Sequence, residues 1–250
     1  MNRKHSKRRH AYRTPFTFLL FLGMCTAALC ICRTQHACGL HNIHVVRIPL
    51  NSGMRVRPVI ARQNALKCET FPEMIARTRP YAAINGTFYN ESMRPLGDVL
   101  IRGRLANRGH YHSALAVRAD GRVEFLHRGR NNFDWSGYKW GLASGPRLVH
   151  NGSIALNPNA DGFKLKSLDI KGWRSGIGLT SGGVLLLVTA KRPLTLEEFA
   201  GVMVKLGAKE AINLDGGSAC ALYKNGRYIA VPSAPMTNIL AVYDTRQNPS

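Results

Sequence analysis

Carboxylates are what this 250-residue chain has least of: 14 Asp and Glu stand against 35 Lys and Arg, a formal charge of +21. Residues 1–33 hold seven of the cations (Arg3, Lys4, Lys7, Arg8, Arg9, Arg13, Arg33) and no acid, leaving 28 against 14, or +14, for the remainder. The excess is spread through the folded part. An evenly basic surface attracts polyanions: nucleic acid, anionic lipid head groups or phosphate-bearing polymers. Also missing are an arginine-rich helix and a basic stripe interleaved with aromatics, so no dedicated nucleic-acid motif is present. There is no C-x-x-C and no His/Cys spacing of the zinc type. His110 and His112, two apart, would share a face of a strand and could bind a metal, but polar surface is the plainer reading; no metal and no cofactor is expected. No repeat of fixed period and no low-complexity linker divides the chain. With 45% hydrophobic and 20% charged residues, its composition is that of a folded protein long enough for one sizeable core.

The N-terminus bears on destination. MNRKHSKRRHAYR is a basic leader over residues 1–13, and Thr14 to Cys32 then run without a charge until Arg33. That apolar run exceeds a usual signal-peptide core of roughly 7–15 residues and falls slightly short of the roughly 20 of a comfortable span. A cleaved signal and an uncleaved anchor over residues 14–33 both fit; the lack of a clean A-x-A site favours the anchor. The positive-inside bias puts residues 1–13 in the cytoplasm and the chain beyond about residue 38 outside. A short linker, 34–44, leads to a domain over 45–245. Cys25, Cys30 and Cys32 belong to the apolar segment; an oxidising compartment would allow a bridge between two of Cys38, Cys68 and Cys220, the pair left open.

The domain reads as α+β: a hairpin-rich mixed β-sheet with a few packed helices, preceded by the one hydrophobic segment. HNIHVVRIPL and VRPVIARQ read as strands, and CETFPEMIARTRP as a short helix stopped by Pro80. SALAVRADGRVEFLH is a hairpin about Asp120-Gly121; Asn151-Gly152 and Asn225-Gly226 mark two more. SGIGLTSGGVLLLVTA gives two strands about a glycine turn. LTLEEFAGVMVKLGA is an amphipathic helix opened by the capping box Thr195 and Glu198 and ended at Gly207.

Four polar clusters interrupt the apolar strands: Asn85-Gly86-Thr87, Ser144-Gly145-Pro146-Arg147, Arg174-Ser175-Gly176 and Asp215-Gly216-Gly217-Ser218. Glycine at a strand end lets backbone N–H groups approach an oxygen-rich or phosphate ligand, and arginine adds a planar fork for phosphate. Singly, each cluster is an ordinary tight turn.

As an ordered set, INGTFYN, PLGDVLIRGRL, SALAVRADGRV, SGPRLVHNGS, RSGIGL, the capped helix and NLDGGSACALYKNG resemble the phosphodiester glycosidase family, which includes a lysosomal enzyme and many bacterial envelope proteins. The resemblance spans Val45 to Tyr243 and is strongest from Arg174 onward. It implies hydrolysis of a sugar-1-phosphodiester, with a phosphorylated or anionic carbohydrate as partner. Such a reaction needs a group that stabilises positive charge at the anomeric carbon and a clamp for the departing phosphate, while the good leaving group lessens the need for the second carboxylate of ordinary glycosidases. The resemblance implies Asp215 as nucleophile or base, Arg174 as phosphate clamp, Asn85 and Ser218 as hydrogen-bonding partners, and Gly86, Gly145, Gly216 and Gly217, with Arg147, as the substrate pocket. Asp98 is the favoured second carboxylate, ahead of Glu91, Asp134 and Asp169. The chain departs from the family pattern at Thr87, at Ser218-Ala219-Cys220 and at Asn238, which bears on substrate choice. Cys220 reads as a small buried thiol along a strand. A competing reading is a non-catalytic, membrane-anchored binder of anionic envelope polysaccharide. Oligomeric state is left open.

Overall fold

Local turn and capping chemistry sets most element boundaries. The computed structural model describes residues 40–51, 53–62, 68–129, 131–163 and 170–246. The basic leader, the apolar segment, Cys25, Cys30, Cys32, Cys38 and Asp169 lie outside the described residues.

From Asn42 the chain forms one unit. It opens with strands β1 (Ile43–Pro49) and β2 (Met54–Ile60), helix α1 (Phe71–Thr78) and strand β3 (Ala82–Asn85). Five strands follow: β4 (Val99–Ile101), β5 (Arg104–Asn107), β6 (Ser113–Arg118), β7 (Val123–His127) and β8 (Tyr138–Ser144). Then come β9 (Arg147–His150), β10 (Ser153–Ile154), β11 (Gly172–Thr180) and β12 (Val184–Leu194). Helix α2 (Leu196–Lys205), β13 (Ala208–Asn213), a 3-10 turn (Gly217–Ala219), β14 (Leu222–Lys224), β15 (Arg227–Ala230) and β16 (Asn238–Asp244) complete it.

The strands form three sheets, in the orders β1-β12-β11-β13-β9-β10, β15-β14-β3-β16-β2 and β5-β4-β8-β6-β7. Every strand pairing among the described residues is antiparallel, where a mixed sheet was expected. The physical reason is the abundance of tight turns, since a two-residue hairpin joins only antiparallel strands. At Asn151-Gly152 and Asn225-Gly226 all four residues take positive φ, between 45° and 81°, as the favoured hairpin turns require. Pro58 is tolerated because β2 is an edge strand, with β16 alone as its neighbour.

One core fills the space between the sheets: Ile48 from β1, Val56 from β2, Ile84 from β3, Leu115 from β6, Leu142 from β8, and Ile177 and Leu187 from β11 and β12 all belong to it. Helix α1 covers a second cluster through Phe71, Met74 and Ile75. Both helices open on a capping box, Thr70 with Glu73 and Thr195 with Glu198, and both carry the same T-x-x-E pattern, although only the second was named from the sequence. Helix α2 lies close on its sheet because β11 offers Gly176 and Gly178 beneath it. A Cβ on Gly176 would stand 2.9 Å from Phe199 Cε1, and one on Gly178 2.9 Å from Met203 Cε. Gly176 is therefore a packing glycine within a strand. Burying Phe199 completely contributes about 1.5–3 kcal/mol.

Candidate functional site

The site is built where β3, β11 and β13 run out of ladder. Beyond the end of β13, Leu214 N–H still donates to Ser175 O (2.8 Å), and Asp215 N–H donates to Gly86 O (3.1 Å). Asn85 ties the same junction with its side chain. Its Nδ2 donates to Asp215 O (2.7 Å), and its Oδ1 accepts from Ala221 N–H (3.1 Å). Buried and satisfied at both ends, Asn85 fixes the backbone that carries Asp215. Asn238 does the same for the first glycine motif: its Oδ1 accepts from Thr87 N–H (2.8 Å) and its Nδ2 donates to Thr87 O (3.2 Å). Gly86 must be glycine here, because a Cβ would sit 1.8 Å from Asn238 Oδ1. Gly216 is forced by a different neighbour, Trp173 O, which a Cβ would approach to 2.7 Å.

Asp215 itself is half-buried, and its carboxylate accepts one hydrogen bond among the described residues, Gly216 N–H to Oδ1 at 2.9 Å. Burial pushes its carboxyl up to about 6, only partly offset by that N–H. No other carboxylate among the described residues contributes to the shift. Two tyrosines feel its charge. Burial first, and Asp215 second, raise the phenols of Tyr89 and Tyr111. Neither was named from the sequence. Tyr89 lay in a quoted motif, and Tyr111 was hidden between the two histidines.

Those histidines precede β6 in a loop rather than sharing a strand face. His110 packs on Tyr111, and His112 Nδ1 meets Ala160 O at 2.5 Å. No group of three or more His, Cys, Asp or Glu able to hold a metal occurs among the described residues.

Arg174 spends Nε on Leu194 O (2.9 Å) and Nη2 on Ile170 O. Its guanidinium lies within reach of Cys220, and burial lowers its pKa. Cys220 is a free, buried thiol that caps the 3-10 turn; the strand begins only at Leu222, so the turn, not strand alternation, orients it. Burial pushes the thiol up to about 11 despite a hydrogen bond with Ser175, so it is protonated and a poor nucleophile. Being free, it also drops out of the expected disulfide pairs.

Asp98 is buried, and both of its oxygens are taken: Oδ1 accepts from Gly109 N–H (2.6 Å) and Oδ2 from Trp135 Nε1 (2.8 Å). Glu91 and Asp134 are exposed. Gly145 packs under Phe163, and Gly145 O accepts from Asn213 Nδ2 (3.3 Å). Arg147 donates its backbone N–H to Asp161 Oδ2 (2.8 Å), and its side chain lines a cleft with Ile154, Asn157 and Glu197. Gly217 and Ser218 are exposed at the turn, where Ser218 O accepts from Ser233 N–H (3.0 Å). Neither the Arg147 cleft nor the one between Arg62, Arg94 and Thr237 includes Asp215. Asp215 is the candidate site because the Gly86 and Gly216 motifs meet there and its half-buried carboxylate accepts only one hydrogen bond among the described residues.

The fold that carries Asp215 is shared with known proteins. Residues 78–243 match the phosphodiester glycosidase family, so the chain belongs to that family of glycoside hydrolases acting on sugar phosphodiesters. Among solved structures it is similar to the catalytic domain of zebrafish N-acetylglucosamine-1-phosphodiester alpha-N-acetylglucosaminidase, auto-inhibited by pro-peptide, at 18% identity and a TM-score of 0.67, covering 81% of this chain and 82% of that one. A hypothetical protein from Synechocystis aligns at 18% identity and a TM-score of 0.60, over 80% of this chain and 58% of that one. A protein from Burkholderia pseudomallei aligns at 14% identity and a TM-score of 0.59, over 80% and 73%. No curated protein sequence matches the chain.

Proposed function

We propose that the chain hydrolyses a sugar-1-phosphodiester at the glycosidic bond, freeing a sugar and a phosphomonoester, with Asp215 as the reacting carboxylate. The observation that carries this reading is Asp215 itself: half-buried, bonded once, ionised above about pH 6, and fixed by backbone hydrogen bonds to Gly86 and Asn85. As C1 separates from the phosphate oxygen, positive charge grows at C1. The carboxylate beside it either bonds to C1 or takes a proton from the attacking water. A phosphodiester leaves readily, so one carboxylate is sufficient where ordinary glycosidases use two. Asp98, its oxygens occupied, positions the Gly109 loop and Trp135. Arg174 retains Nη1, which makes no hydrogen bond among the described residues, for a phosphate oxygen.

The zebrafish protein's name makes N-acetylglucosamine 1-phosphodiesters the first substrates to try. The basic leader and apolar run support export or membrane anchoring with the domain outside, where anionic envelope polymers and glycans would meet a surface of net positive charge. Hydrolysis in ¹⁸O-labelled water tests the bond cleaved. Label in the sugar's anomeric hydroxyl is expected. Label in the phosphate would refute the reading by showing cleavage at phosphorus, and no sugar released across a broad panel would refute it and favour the polysaccharide binder.

A further inference from the structure

We propose that Tyr111 is a further catalytic residue, its phenol O–H donating to the phosphate oxygen that departs from the anomeric carbon. This rests on the sugar-phosphodiester reading above.

Tyr111 is 4% exposed and lies flat on Phe163, with ring centroids 4.4 Å apart and planes 6° from parallel. Phe88 meets both rings edge-on, at 5.7 and 5.8 Å. The backbone is pinned as well, since Tyr111 O accepts from Arg128 Nε at 3.1 Å. Two motif loops hold this cluster against the site. Phe88 follows Gly86, whose carbonyl accepts from Asp215 N–H, by two residues. Phe163 covers Gly145, where a Cβ would stand 3.3 Å from its ring.

The two tyrosines that sense Asp215 differ in one respect. Tyr89 donates its hydroxyl to Pro235 O at 2.9 Å. Tyr111 donates to nothing among the described residues, and its hydroxyl is not one of their fully buried polar atoms left without a partner. A rigid ring with an uncommitted donor, packed against the loops that carry Gly86 and Gly145, offers a hydrogen bond to a ligand. Burial and the charge of Asp215 both keep its proton in place, so it acts as a donor and not as a base.

In the reaction the C1–O bond breaks and its electron pair stays on the phosphate oxygen. A new bond forms from C1 to Asp215 or to water. The phenol keeps its proton and strengthens its hydrogen bond as charge builds on the departing oxygen, a contribution present mainly in the transition state.

The test is Tyr111→Phe in the full-length chain, which keeps the stacked ring. The probes are N-acetylglucosamine 1-(methyl phosphate) as substrate, and methyl phosphate and free N-acetylglucosamine as product inhibitors. Loss of one donor to a charged transition state should lower kcat by about 10- to 100-fold. Methyl phosphate inhibition should weaken by about 5- to 10-fold while inhibition by the free sugar and the melting temperature hold. An unchanged kcat, or equal weakening of sugar and phosphate, overturns the proposal. The wild-type chain supplies a second readout: methyl phosphate should perturb the tyrosine ultraviolet band, and no perturbation also counts against it. A wild-type chain that cleaves no sugar-1-phosphodiester overturns the parent reading, and this one with it. Normal wild-type turnover with an indifferent Tyr111→Phe overturns this one alone.

Discussion

Replacing Asp215 by Asn should make the protein more stable at neutral pH and no more stable in acid. Burial raises the Asp215 carboxyl from its ordinary 3.8 to about 6. Between those values the unfolded chain has released the proton and the native state still holds it. Native stability therefore falls as pH rises from about 4 to 6, and the full cost is present at pH 7. Roughly two pKa units correspond to about 3 kcal/mol, and partial solvent access brings the expectation to about 1–3 kcal/mol. Asn does not titrate and retains an oxygen for Gly216 N–H. The variant should thus exceed wild type by about 1–3 kcal/mol at about pH 7.5, or about 3–10 °C in melting temperature, and match it near pH 4. Denaturant or thermal unfolding at the two pH values decides it. A variant less stable than wild type at neutral pH, or one whose gain persists in acid, would refute the reasoning that burial strains this carboxylate.

The ionised carboxylate is also the working form, so kcat/KM should fall tenfold per pH unit below about 6; a profile flat to about pH 4 would contradict that. Gly86→Ala places a Cβ 1.8 Å from Asn238 Oδ1 and 3.0 Å from Asn238 O, and should cost about 1–3 kcal/mol or more in unfolding experiments while disordering the Thr87 clasp. Asp98→Asn presents an amide donor to either Gly109 N–H or Trp135 Nε1. It should cost about 1–3 kcal/mol, with a fall in kcat of no more than about tenfold. Thr195→Ala removes the oxygen that accepts from Glu198 N–H, and should cost about 1 kcal/mol with turnover kept.

What the sequence made legible is what local chemistry dictates. Asn225-Gly226 announces a hairpin because few dipeptides tolerate positive φ at both positions, Gly121 supplies the one positive φ of the β6–β7 turn, and Thr195 with Glu198 announces the start of α2. Sheet membership was not legible. β8 and β9 are separated only by Gly145 and Pro146 yet enter different sheets, since β9 pairs with β13, a partner distant in sequence. Within the site, Asp215 stood out because its glycine platform is contiguous with it. The use of Asp98 depends on Gly109 and Trp135, 11 and 37 residues away, and no motif encodes those contacts. Tyr111 was obscured for a similar reason: its neighbours Phe88 and Phe163 meet it only through the fold. The packing role of Gly176 was not legible either, because a glycine signals close approach without saying whether a ligand or a Phe199 ring approaches.

The most direct test of the account is the rate at which the full-length chain releases free sugar from N-acetylglucosamine 1-phosphodiesters, measured for wild type and Asp215→Asn side by side. Steady release by wild type, with a loss of about a thousandfold or more in the variant while ligand binding and folding persist, is the predicted result. Equal release by both, or none by wild type, would contradict the assignment of Asp215 as the carboxylate that cleaves a sugar from its phosphodiester.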